Sequence, residues 1–284
     1  MIILEFQGGL GNQMFQYAMY LLLKKRGINV KCKTSENKEN DRPFDLYLFQ
    51  NVSIETDDEK YNQLVSEWNK RSIFRRGYEK IFKEKRIYFL EDETLDYDER
   101  IFKLDNKILS GYFQSLDYIS LVEKELRDAF TFPKVEEKLK TFIKELPENA
   151  ISLHIRRGDY LKWPEIYGGI CTEKYYERAI NYFKEKGLNN FVVFSNDPEW
   201  VRENFALENA LYVEGTNFDE YKDWYDMYIM SHCPNNILAN STFSWWAAWL
   251  NTNENRTVVS PPRIENLHPN KHLQEDDWVI ISGD

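Results

Sequence analysis

The chain has 284 residues, 42% hydrophobic and 30% charged, with a formal net charge of −10, a composition that suits a globular protein with one large core or two medium ones. The acidic balance argues against a nucleic-acid surface, so an anionic ligand would need a local basic island. Three cysteines, Cys32, Cys171 and Cys233, without a C-x-x-C pair, argue against a disulfide framework or a zinc site and suit a reduced cytoplasm.

Met1 to Phe6 lacks the basic lead and apolar length of a signal peptide, and no later run approaches membrane-spanning length. A cytoplasmic protein with at most peripheral contact with the inner face of a membrane is expected. Ile2 to Phe6 reads as a strand, Gly8-Gly9-Leu10-Gly11 as a turn, and Asn12 to Lys25 as a helix whose apolar face is Met14, Phe15, Ala18, Leu21 and Leu22. Lys24, Lys25 and Arg26 complement the helix's negative end, and Gly27 can close it. With a strand from Ile28 to Cys32 this makes a βαβ start. The glycine turn is no full dinucleotide fingerprint, because Met14 holds the third glycine position. It could present N–H groups to an anion, or simply be a tight turn.

Ser35 to Arg42 reads as a loop. Asn69 to Arg86 alternates basic and apolar residues at helical intervals, which suits a packed helix with a solvated basic side better than a membrane-surface or acceptor-groove helix. Asp96-Tyr97-Asp98 has the D-x-D form that holds a divalent metal in many sugar transferases, but the acidic run Glu91 to Arg100 makes a chance match easy. A strand at Ile108 to Gly111 and a helix from Asp117 to Phe130 precede the charged stretch Pro133 to Pro147, which reads as a connection between domains.

Ala150 to Leu153 is an apolar strand running into His154-Ile155-Arg156-Arg157-Gly158-Asp159-Tyr160. Two guanidinium groups at a strand's carboxyl end suit a phosphate or diphosphate. A solvated surface turn is the alternative. A helix carrying Tyr176, Ala179, Ile180 and Phe183 follows, ended by Gly187. Next come a strand Phe191 to Phe194, an Asx cap in Ser195-Asn196-Asp197-Pro198, a strand Leu211 to Val213, a helix Tyr221 to Met230 and a strand Ile237 to Ala239. Asn240-Ser241-Thr242-Phe243-Ser244-Trp245-Trp246 is a hydroxyl-rich turn opening an aromatic helix. It could grip a phosphate, or Ser241 or Thr242 could cap the helix while the tryptophans fill the core. Thr257 to Ser260 is the last clear strand.

Three stretches, Gly8 to Ala18, His154 to Tyr160 and Asn240 to Ala248, supported by Phe194 to Asp197, resemble the α-1,2-fucosyltransferases of glycosyltransferase family 11. The resemblance implies an α/β protein of GT-B type with two Rossmann-like domains facing a central cleft. It places the acceptor-side domain at 1–132, a connection at 133–149 and the GDP-fucose domain at 150–284. It further implies transfer from GDP-fucose to a terminal galactose of a glycan with inversion, without a metal or other cofactor. On that basis Arg156 and Arg157 would stabilise the leaving diphosphate. His154, Asn196, Asp197, Asp226, Ser241, Thr242, Phe243, Ser244, Trp245, Gly9, Gly11 and Asn12 would bind the donor, with Asp226 holding guanine. Gln13 and Glu165 would meet the acceptor. Asp159 and Glu165 are the carboxylates nearest the arginine pair in sequence and so candidate bases, although Asp159 better suits a turn-former that fixes an arginine. Two rival classes are a metal-dependent transferase using Asp96 and Asp98, and a non-catalytic carbohydrate-binding protein exploiting its 8 Trp and 18 Tyr.

Overall fold

A computed structural model describes residues 1–34, 42–72, 74–75, 86–91, 97–205, 207–208, 210–268 and 273–284, with backbone only at Asp159. Two compact α/β units follow one another, Met1–Pro133 and Lys134–Asp284. The first is built on a parallel sheet of β1 (Ile2–Glu5), β2 (Val30–Lys33), β3 (Tyr88–Leu90) and β4 (Lys107–Ser110), in the order β2-β1-β4-β3. Parallel neighbours require crossovers, and the first is α1 (Leu10–Lys25). Met14, Phe15, Ala18, Leu22 and Leu23 of α1 are buried, but so are Gln13, Gln16, Tyr17 and Tyr20. The helix is therefore enclosed on nearly all sides rather than laid on a surface. Its end is a Schellman closure: Gly27, at φ +72°, donates to Lys24, and Ile28 donates to Leu23.

The single helix expected over Asp117 to Phe130 is two, Leu116–Ser120 and Glu123–Ala129. Val122 leaves helical geometry between them, at φ −135° and ψ 20°, and the Ser120 hydroxyl bonds the Asp117 carbonyl instead of continuing the turn. Tyr118, Ile119, Val122, Leu126 and Phe130 are all buried at helical spacing, so periodicity alone cannot show the break. The helix Asp58–Asn69 stops where the basic helix was expected to begin, and most of 69–86 lies outside the described residues.

The stretch expected as a connection carries a helix, Glu137–Glu145, that belongs to the second unit. Leu139 is buried, Phe142 packs on Phe218 with ring centroids 5.6 Å apart, and Lys138 pairs with Asp219. Charge on its outer face hid this short apolar stripe.

The second unit holds β5 (Ile151–Ile155), β6 (Phe191–Ser195), β7 (Ala210–Tyr212), β8 (Asn235–Ile237), β9 (Thr257–Ser260) and β10 (Val279–Ile280). They form one parallel sheet in the order β10-β9-β8-β5-β6-β7. The chain moves outward from β5 through β6 to β7, then returns to β5's other side and moves outward again. This is the doubly wound Rossmann order, with its switch point between β5 and β8. Ile151, Leu153, Ile155, Phe191, Val193 and Ile237 enter one core with Tyr176, Ala179, Ile180 and Phe183 of the helix Glu173–Lys184. In both units the switch point falls after the first strand, between β1 and β4 and between β5 and β8. The chain is thus α/β of GT-B type, with two Rossmann-like units in succession.

Candidate active site

In open parallel sheets ligands bind past the strands' carboxyl ends, at the switch point. The register sets Ile155 beside Ser195 and Leu153 beside Ile237, so the turns after β5, β6 and β8 leave one edge side by side. Those turns are Arg156 to Tyr160, Asn196–Asp197 and Leu238 to Ser241. The helix Trp224–His232 crosses back before β8, so its first turn, with Asp226, belongs to this edge too.

β5 is one residue longer than the apolar run suggests and includes His154, only 7% exposed. Burial, and then the charge of Arg156, push its pKa down to about 3, so the imidazole is neutral at working pH. Its Nδ1 meets no partner among the described residues, and its ring lies 6.3 Å from that of Phe243. A buried polar atom left unbonded is costly, so this nitrogen is available to a ligand.

The two arginines separate. The Arg157 backbone N–H donates to Asn196 Oδ1 at 2.9 Å and its Nε to Asp197 Oδ2 at 3.1 Å, while its guanidinium lies 3.6 Å from the centre of the Trp200 ring. Asp197 also caps the helix Pro198–Asn204 by accepting from Trp200 N–H at 3.3 Å. Asn196 and Asp197, expected to bind the donor, are thus used to fasten the arginine turn to β6. Gly158 sits at φ +22°, and a Cβ there would collide with the Asn196 side chain, so the turn closes only with glycine. Arg156 points elsewhere, its guanidinium 5.6 Å from the centre of the Tyr160 ring. Tyr160 stacks on Tyr167 at 4.0 Å and donates its hydroxyl to the Asn240 carbonyl at 3.1 Å, tying the β5 turn to the β8 turn.

The helix Thr242–Leu250 starts at the switch point, but much of its expected phosphate grip is already used. The Ser241 hydroxyl caps Phe243 N–H at 3.3 Å, and Trp245 N–H bonds the Ser241 carbonyl at 3.1 Å. Ser244 is fully buried and bonds the same carbonyl. Trp245 is a core residue, 2% exposed, packed on Trp246 and Trp278 and bonded through its indole to the Leu273 carbonyl. Assigning Ser244 and Trp245 to donor contact is therefore corrected, and Thr242 and Phe243 remain at the rim. Asp226 accepts the Tyr221 hydroxyl at 2.6 Å, and burial raises its pKa to about 7 against that bond. Glu165 is exposed on the short helix Pro164–Tyr167, and the Asp159 side chain lies outside the described residues.

At the first unit's switch point the glycine turn is internally bonded. Gly8 sits at φ +76°, and a Cβ there would lie 2.7 Å from Asn12 Nδ2. Asn12 and Gln13 N–H groups return to the Gly9 carbonyl, and Asn12 Oδ1 accepts from Gln114 at 2.9 Å. Gly9 and Gly11 sit at the start of α1, while the Asn12 N–H offered to an anion is already engaged. Gln13, expected to meet the acceptor, is fully buried. It donates to the Gly8 and Pro43 carbonyls and accepts from Asp45 N–H, each at 2.8 Å. Every polar group of its amide serves the fold, which corrects that assignment. Asp98 pairs with Arg100, and Asp96 lies outside the described residues.

The residues not singled out from sequence are Tyr160, Trp200, Tyr221, Asn240 and Gln114. Tyr160 and Asn240 stood inside recognisable stretches, whereas the others carry no local signal.

Fold and rim together define an α/β protein whose second unit gathers Arg156, Arg157 and a buried, neutral His154 at its switch point. The profile of the family "Glycosyl transferase family 11" matches residues 1–282, and the chain belongs to that family. It is a glycosyltransferase. It is 34% identical to the O-antigen biosynthesis glycosyltransferase WbnK of Escherichia coli, over 96% of this chain and 98% of that one. It is 30% identical to an alpha-1,2-colitosyltransferase of Escherichia coli, over 99% and 98%. Galactoside alpha-(1,2)-fucosyltransferase 2 of Bos taurus is 28% identical, over 62% of this chain and 55% of its own length.

Proposed function

We propose that the chain transfers L-fucose from GDP-fucose to the 2-hydroxyl of a terminal galactose, with inversion. The observation that carries this reading is the division of labour at the β5 turn: Arg157 is tied to Asp197 and Trp200, while Arg156 stands beside a buried, neutral His154. When the bond from fucose C1 to the β-phosphate oxygen breaks, negative charge collects on the diphosphate and positive charge on the sugar ring. Arg156 offers that diphosphate a permanent cation with a bidentate fork, aided by the His154 ring. The electron pair of the acceptor oxygen forms the new bond to C1 from the opposite face, and its proton leaves late, to Asp159 in the turn or to Glu165 on the helix Pro164–Tyr167. Asp226, half-buried at the same edge, is positioned by Tyr221 to take the guanine N–H groups. Selection of the acceptor beyond its terminal sugar is assigned to the first unit.

The 1,2-linkage is supported by relatives named for it, one of which moves colitose rather than fucose. Colitose is accordingly the second donor sugar to test. Among the described residues no helix is long and apolar enough to cross a membrane, and cytoplasmic action at a membrane face is part of the proposal. Purified protein is incubated with galactose-terminated acceptors and a panel of GDP-fucose, GDP-colitose and UDP-sugars, with and without chelator. The expected outcome is a 1,2-linked fucosyl product from GDP-fucose, undiminished by chelator, because Arg156 supplies the charge that a metal would. Loss of turnover on chelation, restored by manganese, would contradict it.

A further inference from the structure

Trp163 is 55% exposed, whereas Trp245, Trp246, Trp249 and Trp278 are buried. Exposed Leu161 stands two residues away, so the indole belongs to an apolar patch, the kind of surface that marks a contact site. Its backbone is fixed on both sides: its N–H donates to the Tyr160 carbonyl at 3.2 Å, and its carbonyl accepts from Ile166 and Tyr167, each at 3.0 Å. The frame around it is fastened in turn. Asn266 N–H donates to the Ile166 carbonyl at 2.8 Å and its Nδ2 to the Gly168 carbonyl at 2.9 Å, and Tyr167 stacks on the Tyr160 that lies beside Arg156. The exposed indole is therefore one turn of backbone from Tyr160, whose ring lies 5.6 Å from the Arg156 guanidinium.

We infer that Trp163 is the platform on which the terminal sugar of the acceptor stacks, an inference that rests on the fucosyl-transfer reading above. A pyranose presents a face of C–H groups that packs on an aromatic ring, and a tryptophan offers a large face with little side-chain entropy to lose. The choice of acceptor over donor follows from exposure. The donor sugar has to be shielded from water to avoid hydrolysis, which a ring more than half exposed cannot do, whereas an acceptor arrives from solvent and returns to it.

The test compares wild type with W163A, W163L and W163F for transfer to a galactoside and for acceptor-independent hydrolysis of GDP-fucose. W163A is expected to raise the acceptor KM about tenfold, with donor KM and hydrolysis within about twofold of wild type. W163L, which keeps bulk without a ring face, should match W163A, and W163F should recover to within about threefold. An unchanged acceptor KM in W163A and W163L overturns the inference, as does an equal rise in donor KM. Wild type that makes no fucosylated product overturns the fucosyl-transfer reading and this inference with it, whereas a transferring wild type matched by W163A overturns the platform alone.

Discussion

The same topological place occurs twice in this chain and is used in opposite ways. At the first unit's switch point the glycine turn is consumed by its own bonds: Asn12 to Gln114, and Gln13 to Gly8, Pro43 and Asp45. At the second unit's switch point the turn is braced from behind by Asn196, Asp197 and Trp200, and Nδ1 of buried His154 meets no partner among the described residues. A polar side chain at a strand end is thus a fold element when the backbone saturates it, and a ligand element when its neighbours hold it in place without saturating it.

This contrast can be broken at several points. The largest effect is expected at Trp245, whose truncation to alanine in the core beside Trp246 and Trp278 should cost about 3–5 kcal/mol. Denaturant unfolding measures it, and a stable variant unable to bind GDP would show the indole to be a ligand group. Gln13→Ala comes next, because three backbone groups lose their partner, a loss of about 2–3 kcal/mol. Melting temperature should fall while the acceptor KM of the folded enzyme holds, and the reverse pattern would restore Gln13 to the acceptor. The smallest effect concerns pH. His154 has a folded pKa near 3 against 6.5 for the free group, so below 6.5 the unfolded chain binds a proton that the native one refuses. Stability should therefore fall as pH drops, by about 1 kcal/mol between 6.5 and 5.5. H154Q should lose that part of the pH dependence, and an identical slope in both proteins would place the charge elsewhere.

How much of this was legible follows from where each signal resides. β1, β4, β5 and β6, the helix α1 and its Gly27 closure are written locally, in apolar runs, helical spacing and one glycine. The arginine pair drew a phosphate reading because two permanent cations follow a strand there, and the turn they form is the one held by Asn196, Asp197 and Trp200. The different roles of Arg156 and Arg157 depend on Asn196, Asp197 and Trp200, about forty residues away, and only the sheet's register brings them together. Gln13 was misread for the same reason: its partners at Pro43 and Asp45 are thirty residues off, and a buried, saturated amide has the same letter as an exposed one. The helix Glu137–Glu145 escaped because a single buried leucine and one phenylalanine carry its packing.

The most direct test of the central claim, that Arg156 faces the diphosphate while Arg157 holds the turn, is turnover and GDP affinity of R156K and R157K beside their melting temperatures. Lysine keeps the charge but loses the fork, so R156K should lose about a hundredfold in turnover at wild-type stability. R157K should lose stability first, as its bond to Asp197 and its stacking on Trp200 weaken, with the smaller loss of turnover. If R157K is the more damaged in turnover while R156K stays near wild type, the two roles are reversed and the account of the site is wrong.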